Sequence, residues 1–162
     1  MPTRPATTAD RKCFLELCKA MYEELLQYGS EITPGEDTLK EMGALFDAYV
    51  RGSLFGVVTV WCPEGDEVPA GVVMAGETWS PLAFGSNMGK QAEGWVAYVT
   101  PCHRRQNVAQ FLQEATHEAL EHLAFDCVVS HVFLGNEAGE ANLEAHGWHR
   151  QATRYVLDLG KE

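Results

Sequence analysis

The sequence predicts an α/β (α+β) fold, with a mixed central β-sheet flanked by about four helices. Two observations predict it. Stretches with apolar residues at helical spacing alternate with short β-branched runs that end at Gly, Pro or polar turn residues. The order of these stretches is two helices, three strands, a helix, a strand, a helix and then one or two strands. The strand, helix and strand of the second half form one predicted βαβ unit, so part of the sheet is expected to be parallel.

The first predicted helix covers about residues 8–27. Thr7 and Asp10 resemble a helix-start box, in which the hydroxyl caps free amides and the carboxylate favours the positive end of the helix. The second helix has a stronger start signal at residues 33–36, where a threonine cap is followed by a proline and a glutamate. The apolar positions of the two helices are Phe14, Leu17, Cys18, Met21 and Leu25, and then Leu39, Met42, Leu45, Phe46 and Tyr49.

Three strands are predicted next. Residues 54–61 and 70–75 are β-branched runs separated by a polar turn, and they predict an antiparallel hairpin. Residues 77–92 mix Gly, Pro and Ser with aromatic residues and predict a long loop, and loops of that length are often functional. Trp79 and Phe84 in this loop either line a binding pocket or pack in the core. The third strand covers residues 94–100 and ends at a proline.

The second half begins with a helix whose apolar stripe runs from Val108 to Leu123. Residues 127–134 predict a buried strand, and Asn136 is a good cap for a short helix that ends at Gly147. The alanines expected on one face of that helix are Ala138, Ala141 and Ala145. Residues 148–159 alternate as a final strand would.

The length of 162 residues favours one domain, 1–162, because hydrophobic cores usually divide only in longer chains. No apolar stretch approaches the roughly 20 residues of a membrane helix, and the N-terminus lacks the apolar core of a secretory signal. We therefore expect a cytoplasmic protein. The five cysteines are scattered and include no Cys-x-x-Cys pair, which predicts reduced thiols packed as small hydrophobes rather than disulfides or structural zinc.

The net charge of −11 argues against general affinity for nucleic acid, whose phosphates it would repel, and favours cationic or neutral partners. The charge is uneven along the chain. Residues 94–113 contain no acid and two arginines, Arg104 and Arg105, whereas residues 114–147 contain seven acids and no Lys or Arg. The acid-free window is either an anion site or a chance fluctuation on a solvated surface.

Two familiar motifs fail on their spacing. Residues 85–90 have three residues between the glycines where a phosphate loop has four, and no Ser or Thr follows the lysine. His117 and His122 are five residues apart, which turns the second about 140° away from the first on a helix, so they do not form a zinc motif. They are better explained as exposed i,i+4 pairs with Glu121 and Glu118.

The motif that remains is the junction at residues 99–112, where a strand ends, a tight basic turn follows and a helix begins. The free amides and positive end of that helix, together with the arginines, favour binding of phosphate or pyrophosphate. Asn107 and Ala109 allow the close approach and left-handed backbone that such a turn needs, although less well than two glycines would. Cys102 and His103 are either a thiolate nucleophile with its partner or packing residues of the turn.

At this junction the sequence resembles the GCN5-related N-acetyltransferase (GNAT) superfamily. The central signature of that family is a strand ending in Val-x-Pro, followed by Arg/Gln-x-x-Gly-x-Gly/Ala at the start of a helix. This chain has Val99, Thr100 and Pro101, followed by Arg104, Arg105, Gln106, Asn107, Val108 and Ala109. A second family motif is matched in register by Asn136, Gly139, Leu143, Gly147 and Trp148. Residues 4–10 also resemble the family's first strand and helix entry, so the resemblance spans nearly the whole chain.

The resemblance implies a GNAT-like fold in which the sheet is splayed near Val99 and acetyl-CoA lies in the splay. It implies that the backbone amides of residues 105–109 hold the pyrophosphate beside Arg104. Tyr98 and Val99 would pair their main chain with the pantetheine arm, and Asn136 would contact the cofactor further along. The amide of Val99 would stabilise the charge that develops on the thioester oxygen.

Three departures from the family pattern fall on chemical roles. Asn107 replaces the first glycine of the signature. Leu143 replaces the tyrosine that usually protonates the departing thiolate, which leaves the acid unassigned. The family often has a basic glutamate in the middle of the strand before Val99, where this chain has apolar residues. The nearest candidates for the base are Glu93 at the strand start and Glu77 after the preceding strand, and the alternative is that both are solvated carboxylates.

The sequence therefore predicts a transferase, namely an N-acetyltransferase (acyltransferase) that moves an acetyl group from acetyl-CoA to a primary amine of a small molecule or protein. The acidic surface favours a cationic acceptor through electrostatic steering. The alternative is a catalytically weak GNAT-like protein that binds CoA, or nothing, and acts by contacting a protein partner. A metal-dependent hydrolase that uses the histidines is a third hypothesis.

Overall fold

The computed structural model describes residues 3–28, 36–77, 90–133 and 135–150. Its strands are β1 Thr3–Pro5, β2 Gly56–Trp61, β3 Gly71–Gly76, β4 Gln91–Val99 and β5 Cys127–Ser130. Its helices are α1 Arg11–Leu25, α2 Glu36–Val50, α3 Val108–His122 and α4 Glu137–Ala145. Short 3-10 turns stand at Thr8–Asp10, Leu26–Tyr28 and Pro101–His103.

The strands form one five-stranded sheet in the order β1-β2-β3-β4-β5. The first four strands pair antiparallel with their neighbours, and β4 pairs with β5 in parallel. The predicted hairpin is confirmed by the register from Gly56 opposite Gly76 to Trp61 opposite Gly71. The predicted βαβ unit is also confirmed, because α3 is the crossover between the parallel strands β4 and β5. The sheet is therefore mixed, as expected.

The sheet lies between two helical layers. On one face, α1 and α2 pack against alternate side chains of the strands, and the Phe14 and Phe46 rings are 4.7 Å apart. On the other face, α3 packs through Val108 and Leu112 and, further along, through Leu120. The buried side chains that the strands give to the first face are Val58, Val60, Val72, Met74, Val96 and Tyr98. The period-2 alternation of the strands thus separates the two cores.

The entry to α1 follows the predicted box. The Asp10 carboxylate accepts the backbone N–H of Thr7 at 2.7 Å, and the Thr7 hydroxyl donates to the same carboxylate at 3.0 Å. Arg4 on β1 donates two further bonds of 2.8 Å to Asp10. These hydrogen bonds, foremost that of Arg4, hold the pKa of the buried Asp10 below its usual range. The cluster joins β1 to the first helix.

Helix α2 is described from Glu36, so the start signal at residues 33–35 lies outside the described residues. Its apolar face is confirmed by the burial of Phe46 and Tyr49. The Tyr49 ring lies against the glycines at the end of the hairpin: a Cβ added to Gly56 would be 2.5 Å from the ring atom Cδ1. Glycine at this position therefore lets α2 approach the sheet closely.

Four sequence predictions need correction. β4 begins at Gln91, so the last residues of the predicted loop 77–92 are strand, and residues 78–89, with Trp79 and Phe84, lie outside the described part. β5 ends at Ser130 rather than 134, because it pairs with only the first four residues of β4. The alanines of α4 at positions 138, 141 and 145 are all exposed, so they form no buried face. Residues 148–150 are not strand, and residues 151–162 are not described.

The thiols follow the packing prediction with one exception. Cys18 and Cys62 are buried, Cys13 and Cys127 are half-buried, and none of these five described cysteines forms a disulfide. Burial raises the pKa of Cys18 to about 12, as expected for an inert thiol in an apolar site. Cys102 is the exception, because it is exposed. No helix in the described part of the chain is long and apolar enough to cross a bilayer.

Candidate active site

The site is built around an opening between β4 and β5. β5 pairs with β4 only from Gln91 to Gly94, and beyond Gly94 the described part of the chain gives this edge of β4 no strand partner. On the other edge of β4, Met74 of β3 faces Val96 while Ala75 faces Gly94, so Trp95 is an extra residue. Such a bulge bends its strand. The bend accounts for the separation of β5 from β4, and Gly94 is the apex of the opening between them.

The open edge of β4 presents main-chain hydrogen-bonding groups. The Thr100 amide donates to Ala70 on the β3 side at 2.9 Å. Successive residues of a strand direct their main-chain groups to opposite edges. The amide and carbonyl of Val99, and two residues earlier those of Ala97, therefore face the opening. The Val99 carbonyl accepts the Arg104 Nε–H at 2.9 Å, which supports this orientation.

The turn that follows β4 leaves a run of amides free. Arg105 and Asn107 both have φ of 60°, which is the left-handed region. Asparagine tolerates this conformation better than most residues with a Cβ, which explains how Asn107 stands where the family signature has glycine. The first amide of α3 with a backbone partner is that of Phe111, which donates to Asn107 at 3.1 Å. Within the described residues, the amides of 105–110 have no backbone acceptor, and they surround the positive end of α3.

The structure corrects the expectation of an acid-free environment around Arg104. Its Nη2 donates to both carboxylate oxygens of Glu24, on α1, at 2.7 Å. The Tyr98 hydroxyl donates to Glu24 at 2.9 Å, and the guanidinium carbon of Arg104 lies 5.4 Å from the centre of the Tyr98 ring. Burial, aided by Glu24, raises the pKa of the Tyr98 hydroxyl. Arg104 therefore braces β4 against α1, while the neighbouring Arg105 is exposed with no such ion pair among the described residues.

Asn136 lies at the start of α4, and its side-chain oxygen accepts the Gly139 amide at 3.0 Å. The predicted helix cap is thereby confirmed, and the same oxygen is already engaged. Gly147 has φ of 84° and follows the end of α4, as predicted for a C-terminal glycine. Leu143, at the position where the family signature has tyrosine, is half-buried. The contact of Asn136 with a cofactor stays a prediction.

The two candidate bases have different surroundings. The Glu77 carboxylate accepts the Phe55 amide at 3.2 Å, and its carbonyl accepts the Tyr49 hydroxyl at 2.8 Å, so Glu77 ties the end of β3 to its neighbours. Glu93 lies on β4 at the apex of the opening, one residue before Gly94. Its side chain is 22% exposed, and its Oε1 is 3.7 Å from Nδ1 of His131, which is 65% exposed. Glu93 is therefore the candidate that stands at the opening.

Tyr49 and Trp95 complete the surroundings of Glu93. The Trp95 indole N–H donates to the Tyr49 hydroxyl at 3.1 Å. Burial raises the pKa of Tyr49 to about 12, and the charges of Glu77 and Glu93 act in the same direction. Tyr49 therefore stays protonated at neutral pH and donates to the Glu77 carbonyl.

Cys102 and His103 face each other, contrary to the usual behaviour of sequence neighbours. The Cys102 Sγ lies 3.2 Å from His103 Nδ1, and the Thr100 hydroxyl lies 2.9 Å from the same nitrogen. The ring of His103 packs on Trp61 with the centroids 5.2 Å apart. The prediction of packing in the turn is therefore confirmed for His103 and wrong for Cys102, which is exposed.

The histidines of α3 do not behave as the predicted exposed pairs. His117 is half-buried against Trp148, with ring centroids 5.7 Å apart, and burial lowers its pKa. His122 bonds the backbone carbonyl of Glu118 at 2.7 Å rather than its carboxylate. Across the described ranges, no group of three or more His, Cys, Asp or Glu side chains is arranged to hold a metal ion. The glycine-rich segment 85–89 lies outside those ranges.

A second concavity is lined by elements other than β4 and β5. A shallow groove of about 790 Å³ runs between the end of α2, the start of β2 and the C-terminal half of α3. Its wall includes Phe55, whose side chain is largely exposed, and Leu123. The lining is mainly apolar, and the groove lies on the α3 side of the sheet.

A mixed five-stranded sheet that opens between β4 and β5 above a helix N-terminus is the fold of the GNAT superfamily, and the predicted fold is confirmed by solved structures. A mutant of the BH1408 protein from Bacillus halodurans superposes with a TM-score of 0.80 at 21% identity, over 98% of this chain and 99% of that one. A GCN5-related N-acetyltransferase from Ralstonia eutropha JMP134 gives 0.69 at 20% identity, over 98% of each chain. AAC(6')-Iy, in complex with a CoA-containing bisubstrate analog, gives 0.68 at 15% identity, over 99% of this chain and 97% of that one.

No protein-family model and no curated protein matches the sequence. The likeness to these structures therefore rests on the fold.

Proposed function

We propose that this protein is an N-acetyltransferase that uses acetyl-CoA to acetylate a primary amine. The observation that carries the proposal is the continuity of two features: the open edge of β4 leads directly into the free amides of residues 105–110. A helix N-terminus with free amides binds phosphate groups, and an unpaired strand edge binds an extended amide-containing chain. CoA carries both a pyrophosphate and an amide-containing arm, so these residues fit it.

The binding roles follow the backbone. The amides of residues 105–109 would hold the pyrophosphate, with the exposed Arg105 as a cationic neighbour. The main chain of Val99 would pair with the pantetheine arm, whereas that of Tyr98, which the resemblance also implied, is directed to β3. Asn136 would contact the cofactor further along. Arg104 would act by keeping the turn against β4 and α1. When bound, acetyl-CoA supplies an activated acetyl thioester.

The chain itself supplies two chemical functions at the opening. The Val99 amide is a fixed donor for a developing oxyanion, and the loss of one such donor typically costs about 3 kcal/mol of transition-state stabilisation. Glu93 is positioned to accept a proton from an ammonium group, since a positioned carboxylate is an ordinary general base. Leu143 offers no proton to a leaving thiolate, and because a thiol is a good leaving group, turnover does not require one.

The acceptor that suits this surface is cationic. The net charge of −11 steers amines toward the protein, and Glu93 offers a carboxylate at the opening. A structural neighbour from Acinetobacter haemolyticus is an aminoglycoside 6'-N-acetyltransferase, which is consistent with an amine acceptor of this type. We propose a polyamine, a lysine side chain or an N-terminus.

Two observations favour a second candidate, a catalytically weak protein that binds CoA and acts through a protein partner. Leu143 stands where the family has its acid, and Arg104 is engaged by Glu24. The two candidates differ in turnover rather than in binding.

Calorimetric titration of the full chain with acetyl-CoA, followed by a thiol-release assay over a panel of primary amines, separates them. The N-acetyltransferase proposal expects saturable binding and thiol release with at least one amine. Binding without release on any amine would favour the interaction protein, and the absence of binding at millimolar acetyl-CoA would overturn both.

A further inference from the structure

The side chains of Glu93 and His131 meet at the apex of the opening. We propose that His131 accepts the proton that Glu93 takes from the acceptor amine and passes it to solvent. The inference rests on the proposed transfer reaction and assigns a role to a residue that the family signature does not include.

The parallel register places His131 at this point. Glu93 pairs with Val129 and Gly94 with Ser130, so His131 is the first residue after β5, where the two strands separate. Its Nδ1 lies 3.7 Å from Glu93 Oε1, which is about 0.5 Å beyond the upper end of the usual hydrogen-bond range. The pair therefore results from the same break in strand pairing that creates the opening.

The exposure of the two side chains gives the transfer a direction. Glu93 is 22% exposed and lies at the apex, whereas His131 is 65% exposed and contacts water. An imidazole ring has two nitrogens, so His131 can accept a proton on the nitrogen near Glu93 and release one from the other nitrogen to solvent.

The other groups around Glu93 are already committed. The Tyr49 hydroxyl, from α2, donates a hydrogen bond to the Glu77 carbonyl and accepts one from the Trp95 N–H. The Glu77 carboxylate, at the end of β3, accepts the Phe55 amide. In the described ranges, His131 is therefore the titratable group that faces Glu93 with a nitrogen available to receive a proton.

The relay moves one proton from the acceptor amine to solvent. The acceptor R–NH3+ gives one proton to the Glu93 carboxylate and becomes R–NH2 with a free electron pair. The Glu93 carboxylic acid gives that proton to Nδ1 of neutral His131 and returns to carboxylate. The imidazolium then loses a proton from Nε2 to water, which leaves neutral His131 with its remaining proton on Nδ1. Exchange of the ring protons with water restores the Nε2–H form before the next turnover, so the net result is one proton released to solvent.

The test uses the full chain with His131→Ala, with His122→Ala as the matched control, since His122 is an exposed histidine on α3 away from the opening. Thiol release is measured across pH with the amine that the panel identifies, and acetyl-CoA affinity is measured by calorimetry. We expect His131→Ala to lower kcat by about 10- to 100-fold, toward the low end of what proton transfer by a positioned side chain contributes, with unchanged acetyl-CoA affinity. Imidazole added to the buffer should restore most of the loss, and His122→Ala should match the unsubstituted protein.

A second readout needs no cofactor. With imidazole nitrogens labelled with 15N, Glu93→Gln should shift the His131 Nδ1 resonance at fixed pH and leave the His122 resonances in place. An unmoved His131 resonance would show that the two side chains do not interact and would overturn the proposal.

The activity outcomes separate this inference from the function on which it rests. If the unsubstituted protein turns over and His131→Ala turns over equally at every pH, the relay is wrong and the proposed function stands. A loss in His131→Ala that imidazole does not restore assigns a structural role and also overturns the relay. If the unsubstituted protein releases no thiol with any amine, the proposed function and the relay are both wrong.

Discussion

The left-handed backbone at Asn107 gives a direct test of the proposed phosphate-binding turn. Asn107 has φ of 60° and ψ of 13°, and it precedes the first residue of α3. For a residue with a Cβ this conformation costs roughly 1–2 kcal/mol of free energy, and for a β-branched residue the cost is at the upper end of that range. In Asn107→Val the unliganded turn is free to relax to another conformation and has to be returned to this one when phosphate binds. A cost of about 1–2 kcal/mol corresponds to about 5- to 30-fold weaker binding, at about 1.4 kcal/mol per factor of ten.

Calorimetry of acetyl-CoA binding to Asn107→Val and Asn107→Gly measures this effect. Glycine adopts the left-handed conformation without a Cβ penalty, so Asn107→Gly should retain the affinity of the unsubstituted protein or exceed it. Thermal unfolding followed by circular dichroism checks that both variants fold. If folded Asn107→Val binds acetyl-CoA as tightly as Asn107→Gly does, the backbone of this turn is not part of the binding surface and the reasoning fails.

The remaining predictions concern charge, stability and reactivity. Arg105→Glu should weaken acetyl-CoA binding by at least about tenfold without changing the melting temperature. Arg104→Glu should lower both the acetyl-CoA affinity and the melting temperature, because it removes the ion pair with Glu24. Equal effects of the two variants in calorimetry and in thermal unfolding would contradict this difference. Asp10→Ala should cost about 2–4 kcal/mol in urea unfolding, because it leaves Arg4 without its partner. The lowered pKa of Asp10 means that its contribution is present above the pKa of the unfolded chain and is lost as pH falls through the lower folded value, so Asp10→Asn should flatten the acid limb of the stability curve. Iodoacetamide should alkylate Cys102 before the other four thiols, as peptide mass spectrometry would show, and earlier labelling of a buried thiol would contradict the burial pattern.

Features with a local cause were predictable from the sequence. The hairpin follows from two β-branched runs on either side of a polar turn, and the βαβ unit follows from a strand, a helical stripe and a second strand. The Asn136 cap required only an asparagine before a helix. The left-handed turn at Asn107 was expected because asparagine tolerates this backbone.

Features that depend on distant partners were not predictable. Glu24 lies 80 positions before Arg104, so no local window of the sequence could show that a carboxylate forms an ion pair with this arginine. The Glu93–His131 pair depends on the register of a parallel pairing, which the crossover helix fixes in space and the sequence pattern does not specify. The early start of β4 has the same origin, since Gln91 is strand because it pairs with Cys127. A weak signal for the position of the candidate base was nevertheless present, because Glu93 immediately precedes the glycine at the apex.

The central claim is that acetyl-CoA binds along the open edge of β4 and at the free amides before α3. Amide 1H–15N spectra of the labelled full chain, recorded during titration with acetyl-CoA, test it residue by residue. The account predicts saturable shifts for Val99 and for residues 105–110, with the amides around Phe55 in the apolar groove unchanged. Saturable shifts confined to that groove, or none at millimolar acetyl-CoA, would contradict it.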